Sequence, residues 1–212
     1  MKFAVATALA VSLPLASTVI AGTAVHQLVT NAMQECALGR QSQDRASRID
    51  HFLRGQAYGE QAVEANETSA QAHFALFCNL GEQMRIDGEQ SIGSVFGFRR
   101  MMKELNRTLE LAPDHLDALS AKGTFLIRLP SLLGGDKEKG EQILRHVIDR
   151  EPAAVNARLS LAKSYCAGGR HEEAITIATK ALELAQGLQR ADFIPEARQV
   201  LTHLLAQAPK SR

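Results

Sequence analysis

Tryptophan is absent from this 212-residue chain, and aromatic residues make up only 5% of it. A surface that stacks nucleobases needs exposed rings, so this poverty argues against nucleic-acid binding. Charge of one sign is also lacking, since 24 Lys and Arg stand against 23 Asp and Glu. Without a basic excess there is no broad field to attract phosphate backbones or anionic lipid. Cysteine is scarce: Cys36, Cys78 and Cys166 are widely spaced and form no CxxC pair. Their odd number excludes a fully paired disulfide framework within one chain. They read as small buried apolar residues, with one disulfide, intramolecular or intermolecular, left open for an oxidising compartment. Strand signals are missing too, because no sustained apolar–polar alternation bounded by turns follows the first 25 residues.

What is present is a globular composition, 45% hydrophobic and 22% charged, in a chain long enough for a sizeable core. The first 25 residues carry Lys2 and then no charge, with small residues at Ala21, Gly22 and Ala24. A short basic start, an apolar stretch and a small-residue exit describe a signal peptide. Residues 1–24 are therefore expected to be removed, leaving a periplasmic or secreted protein. The alternative is an uncleaved anchor formed by residues 3–25, because the uncharged run exceeds the roughly 18 residues a span needs. Pro14 and the many Ala, Ser and Thr make the run only mildly apolar and favour cleavage. Membrane contact is expected through this segment alone. Cys36 lies too far downstream to mark a lipoprotein.

Beyond the leader, helical periodicity dominates. In residues 153–186, Leu159, Ala162, Tyr165 and Cys166 share one helix face, and Ala174, Ile175, Ala178, Ala181 and Leu182 share another. Gly168 and Gly169 stop the first helix. This stretch resembles the tetratricopeptide repeat, a 34-residue helix pair that keeps small residues where its helices touch. Leu161, Ala162, Tyr165, Ala174 and Ala181 fall at the motif's positions, and Gln186 replaces its closing proline. Working back from Pro152 to Pro113 reveals an earlier repeat, lengthened by five residues at 130–134. It has Gly123 at the small-residue position and Gly140, Leu144 and Val147 on the second helix. A further unit has its first helix at 70–80 and its second at 98–113, with a glycine-rich loop expected at 81–97. A degenerate unit precedes it, with helices expected at 23–39 and 54–67.

The resemblance implies an all-α fold: a TPR-like α-solenoid of stacked antiparallel helix pairs with a C-terminal capping helix. The units fall at about 25–67, 68–113, 114–152 and 153–186, with the cap at 187–212.

Several chemical motifs can be weighed against this reading. Gly135 and Gly140 have the spacing of a phosphate loop, but Glu141 and Gln142 stand where GxxxxGK[ST] needs Lys and a hydroxyl. The segment is better read as a turn. Pro130 ends one helix, Leu132 and Leu133 pack beneath, Gly134 and Gly135 permit positive φ, and Asp136 caps the next helix. Ser160 and Lys163 match SxxK without the companion elements of penicillin-binding enzymes. His171 begins HEEA without the second histidine of HExxH, and no other histidines pair at i, i+4. Asn66 and Asn106 begin N-glycosylation sequons, which matter only in a eukaryotic secretory cell. No enzyme, no metal and no cofactor is expected.

What remains is a surface. In the repeat architecture, positions 2, 5, 9 and 12 of each first helix face a concave groove. The resemblance places Gln71, Phe74 and Cys78 there, followed by Asp117, Ser120, Thr124 and Ile127, and then Asn156, Leu159 and Lys163. Gly81 and Cys166 complete the set. The plainer reading is that some of these residues only fill space between helices. The lining lacks the Lys/Asn set that clamps a C-terminal carboxylate. The function implied is a non-enzymatic scaffold that binds a protein or peptide partner, with no nucleic acid and with oligomerisation left open.

The segment from Leu129 to Leu144 is also similar to a P-x-x-x-GGD-x-x-K element in the T-component of some TRAP (tripartite ATP-independent periplasmic) transporters. That family associates with a solute-binding subunit. The similarity is short and the family's lipoprotein cysteine is missing, so a periplasmic transport accessory stands as the alternative function.

Overall fold

The computed structural model describes residues 15–87 and 92–207, with side chains for residues 22–86 and 95–207. Among the described residues there is no strand. The helices are α1 (Leu15–Gln41), α2 (Arg45–Ala65), α3 (Ala70–Asp87), α4 (Ile92–Leu111), α5 (Leu116–Arg128), α6 (Lys137–Arg150), α7 (Val155–Ala167), α8 (His171–Gly187) and α9 (Ile194–Gln207), with a short 3₁₀ turn at Ser131–Leu133. Each odd-numbered helix packs on the even-numbered one that follows it, and α9 closes the stack against α8. The outcome is the solenoid of helix pairs expected from the repeat pattern.

Helix pairs close tightly because small residues stand at their crossings. A Cβ on Gly123 of α5 would lie 3.0 Å from the Gly140 carbonyl oxygen and 2.9 Å from Leu144 Cγ; one on Gly140 would lie 2.7 Å from the Gly123 oxygen. The α5 and α6 backbones therefore touch, and Leu144 and Val147 are buried at 0% and 1% exposure. In the next pair the same work is done by Ala162, Ala174, Ala178 and Ala181, all fully buried.

The core divides into three neighbouring clusters along the stack. Cys36, Phe52 and Cys78 form the first, Leu76, Phe77, Leu80, Met101, Leu105 and Ala118 the second, and the α6–α9 interior the third. Each cluster draws residues from successive helix pairs, which is why one pair alone would leave an apolar face uncovered. At the end of the stack, Ala197, Val200 and Leu204 of α9 point inward. Its opposite face carries Arg198, Gln199, Thr202 and His203, the polar cover that a terminal helix needs.

Three local expectations need correction. The stretch 81–97 is mostly helical: α3 continues to Asp87 and α4 begins at Ile92, while residues 88–91 lie outside the described set. Tertiary packing overrides the glycines. The Cβ position of Gly81 faces Met101 Sδ at 3.4 Å and that of Gly97 faces Met84 Sδ at 3.9 Å, so each glycine faces a flexible apolar side chain from the partner helix.

At the N-terminus, α1 and α2 are both longer than the expected 23–39 and 54–67. Residues 1–14 of the expected leader lie outside the described set, and the expected exit at 21–24 falls within α1.

Third, Leu132 and Leu133 do not pack beneath their turn; they are 98% and 68% exposed. The returning backbone lies directly on the end of α5. Leu133 and Gly135 donate N–H bonds to the Pro130 oxygen at 2.8 and 3.0 Å, and Asp136 donates to the Leu126 oxygen at 2.8 Å. A Cβ on Gly135 would overlap the Leu129 oxygen at 1.7 Å, so nothing fits underneath. Gly135 has no positive φ and serves close approach instead, while Gly134 and Asp136 act as expected. Gly134 adopts φ +85°, and Asp136 Oδ1 accepts the Lys139 N–H at 3.0 Å.

Candidate functional site

The odd-numbered helices form the inner layer of the solenoid and run side by side. Rungs of polar contacts set their register. On α3, Asn79 Nδ2 donates to the Ala32 oxygen of α1 at 2.9 Å, and Arg40 Nε of α1 reaches Glu82 Oε1 of α3 at 2.7 Å. Rings link α3 to α5, with Phe77 and Phe125 6.3 Å apart at their centroids and Phe74 4.6 Å from His115. Between α5 and α7, Thr124 Oγ1 donates to Ser160 Oγ at 2.8 Å, and Asn156 Nδ2 reaches Ser120 Oγ at 3.4 Å.

These contacts sort the residues expected in the groove. Gln71, Asp117, Asn156 and Lys163 are exposed, and Phe74, Thr124 and Ile127 are half-buried. Cys78, Ser120 and Leu159 are buried and present no surface to a partner. Gly81 and Cys166 are half-buried. Ser160 and Lys163 turn to different neighbours, Thr124 and Glu196, rather than to one another. Gly140 lies inside α6 against α5, which leaves no phosphate cradle between it and Gly135.

The later turns of the inner helices carry a charge cluster that spacing alone did not reveal. Lys163 Nζ pairs with Glu196 Oε1 of α9 at 2.7 Å. Burial pushes the Glu196 carboxyl up, but Lys163, with Arg85 and Arg40 adding to its field, outweighs this and holds it below the usual carboxylate range. The Arg40 guanidinium lies 5.5 Å from the Phe193 ring centroid, and Arg190 covers the same ring at 4.7 Å. The first helix thus meets the turn before the last one, and the superhelix curls far enough to close this end of the groove.

Arg40, Glu82, Arg85, Arg190 and Glu196 were absent from the sequence-based set. Arg40 falls just past the expected first helix, and Glu82 and Arg85 fall in the expected loop. Continuing the helical period from Phe74 through Cys78 and Glu82 to Arg85 would have found the α3 pair.

Fold and inner surface together define a helical-repeat solenoid with a polar, mixed-charge groove. No family model and no curated protein sequence matches the chain. Solved structures do match it. A thermophilic TPR protein of Thermus thermophilus superposes at TM-score 0.54 and 18% identity, covering 86% of this chain and 99% of that one. MamA of Desulfovibrio magneticus RS-1 (residues 41 to the end) matches at TM-score 0.44 and 17% identity over 81% and 94%. YrrB, described as a TPR protein with an unusual peptide-binding site, matches at TM-score 0.36 and 16% identity over 68% and 84%. The first of these carries the argument: the chain has the tetratricopeptide-repeat fold.

Proposed function

We propose that the chain is a non-enzymatic scaffold that binds a protein or peptide partner in its concave groove, outside the cytoplasm. The observation that carries this reading is the two-part lining of the inner layer. At one end, the first turns of α3, α5 and α7 present Gln71, Asp117 and Asn156 to solvent. At the other, Arg40, Arg85, Lys163 and Glu196 gather within electrostatic reach of one another. Side-chain amides can donate to and accept from an extended peptide backbone, while a cluster of mixed sign selects side chains by charge.

Placement outside the cytoplasm rests on the leader, and the packing is compatible with its removal. Residues 22–24 are exposed, and Val25 is the first buried side chain of the described part of α1. Among the described residues no helix is long and apolar enough to cross a membrane.

The test is site-specific photo-crosslinking in intact cells, with the probe at Gln71 or Asn156 and a control probe at Thr176, exposed on α8. The expected result is one shared adduct from both groove positions and none from Thr176. Adducts that do not distinguish the groove from α8 overturn the reading. If the adduct is a transporter's solute-binding subunit, the chain is a transport accessory. Mass analysis of the captured chain reports the leader: a start at residue 22–25 supports export with cleavage, and an intact Met1 in the membrane fraction supports the anchor.

A further inference from the structure

Of the three cysteines, two are brought together. Cys36 on α1 and Cys78 on α3 share a small buried cluster with Phe52, at 1% and 6% exposure. The two thiols lie near enough to perturb one another's ionisation. One helical turn further on, Arg40 faces Glu82 across the same interface, and both pairs are separated by the same 42 residues. Arg40 also donates from Nη2 to Cys78 Sγ at 3.4 Å. Cys166 lies apart on α7, where its sulfur neighbours are His171 and Gln207.

We propose that Cys36 and Cys78 are a dithiol pair that closes to an α1–α3 disulfide by exchange with a small-molecule disulfide such as oxidised glutathione. Three features support it. The two side chains share one buried cluster between helices held in register by the Arg40–Glu82 and Asn79–Ala32 rungs, so closure needs no large backbone movement. The attacking sulfur is Cys78, because the Arg40 guanidinium donates to its Sγ at 3.4 Å and favours its thiolate. The neighbouring Cys78 and burial push the Cys36 thiol up. Finally, α1 is the first of the described helices and packs on α2 and α3, so its lifting is the opening that admits a reagent.

The chemistry balances as two exchange steps. The Cys78 thiolate attacks one sulfur of glutathione disulfide, forms a mixed disulfide and expels one glutathione thiolate. Cys36 gives its proton to that thiolate and attacks Cys78 Sγ, forming the Cys36–Cys78 bond and expelling the second glutathione. Two protein thiols are oxidised and one disulfide is reduced to two thiols.

The test uses the full chain, both folded and refolded from denaturant, in a glutathione redox buffer. The expected result is loss of two of the three titratable thiols, a monomer on a non-reducing gel, and one cross-linked peptide containing Cys36 and Cys78. The melting temperature rises by about 5 °C or more on oxidation, since the cross-link restricts the unfolded chain. Cys36→Ala leaves Cys78 trapped as a glutathione mixed disulfide, Cys78→Ala abolishes the cross-link, and Cys166→Ala changes neither. Retention of all three thiols after oxidative refolding overturns the proposal, because refolding removes the barrier of burial. A cross-link through Cys166 also overturns it.

Discussion

Gly123 and Gly134 serve different physical ends, and substitution separates them. At Gly123 the problem is space: a methyl group would press on the Gly140 oxygen and on Leu144. Gly123→Ala is expected to cost about 1–3 kcal/mol, the usual range for overpacking a closed interface, read as a lower urea midpoint. At Gly134 there is open space, but φ is +85°. Gly134→Ala therefore loses about 1 kcal/mol to left-handed backbone strain alone. Gly187, at the end of α8, also has nothing near its Cβ position but has no positive φ. Gly187→Ala is expected to stabilise, by about 0.5–1 kcal/mol, through helix propensity. Equal effects at 134 and 187 would contradict the conformational argument.

A buried ion-pair geometry tests the second core cluster at the same scale. His73 Nδ1 lies 2.6 Å from Glu104 Oε2, and its Nε2 lies 2.8 Å from the Glu67 oxygen. Glu104→Ala strands a buried imidazole nitrogen and is expected to cost about 2–4 kcal/mol. Denaturant unfolding of the variant measures this.

Among the elements, the α5–α6 connection and α9 show how far a local pattern carries. Pro130, Gly134 and Asp136 announced a turn, and their backbone chemistry makes one. The direction of Leu132 and Leu133 was not legible, because it depends on the returning chain lying on the end of α5. Leu132→Ser together with Leu133→Ser is accordingly expected to leave the melting temperature nearly unchanged; a core position would cost several kcal/mol. The α3 helix was truncated in the sequence reading because Gly81 is a poor helix former in isolation. Its Met101 contact, from a distant part of the chain, is what carries the helix on.

The α9 helix is tied to the groove by Glu196 and Lys163, and this link is pH-dependent. The folded Glu196 carboxyl lies below its ordinary value of 4.5. Its contribution is therefore complete above that value and is lost as the pH falls through the lower folded value. Glu196→Gln should lower stability at neutral pH by about 0.5–1 kcal/mol, the scale of a pair whose lysine is half exposed to solvent screening. The gap between variant and native chain should close as the pH is lowered below 4.5. A gap independent of pH would remove the Lys163 pairing as its cause.

For the whole molecule, curvature makes the site. The Arg40–Phe193 contact joins the first helix to the turn before the last across the groove, and it gathers charges that are distant in the chain. Phe193→Ala is expected to leave the helix content intact while increasing amide exchange in α9.

The sequence by itself determined the helical class, the pairing of helices, the small residues at their crossings and the turn after Arg128. Each depends on a period or a backbone preference that a few neighbouring residues express. Only the tertiary structure decided which groove positions are open, which charges meet at Arg40, and which two of three cysteines share a buried cluster. Those outcomes depend on small rotations accumulated from one helix pair to the next, which bring together side chains that no local period relates.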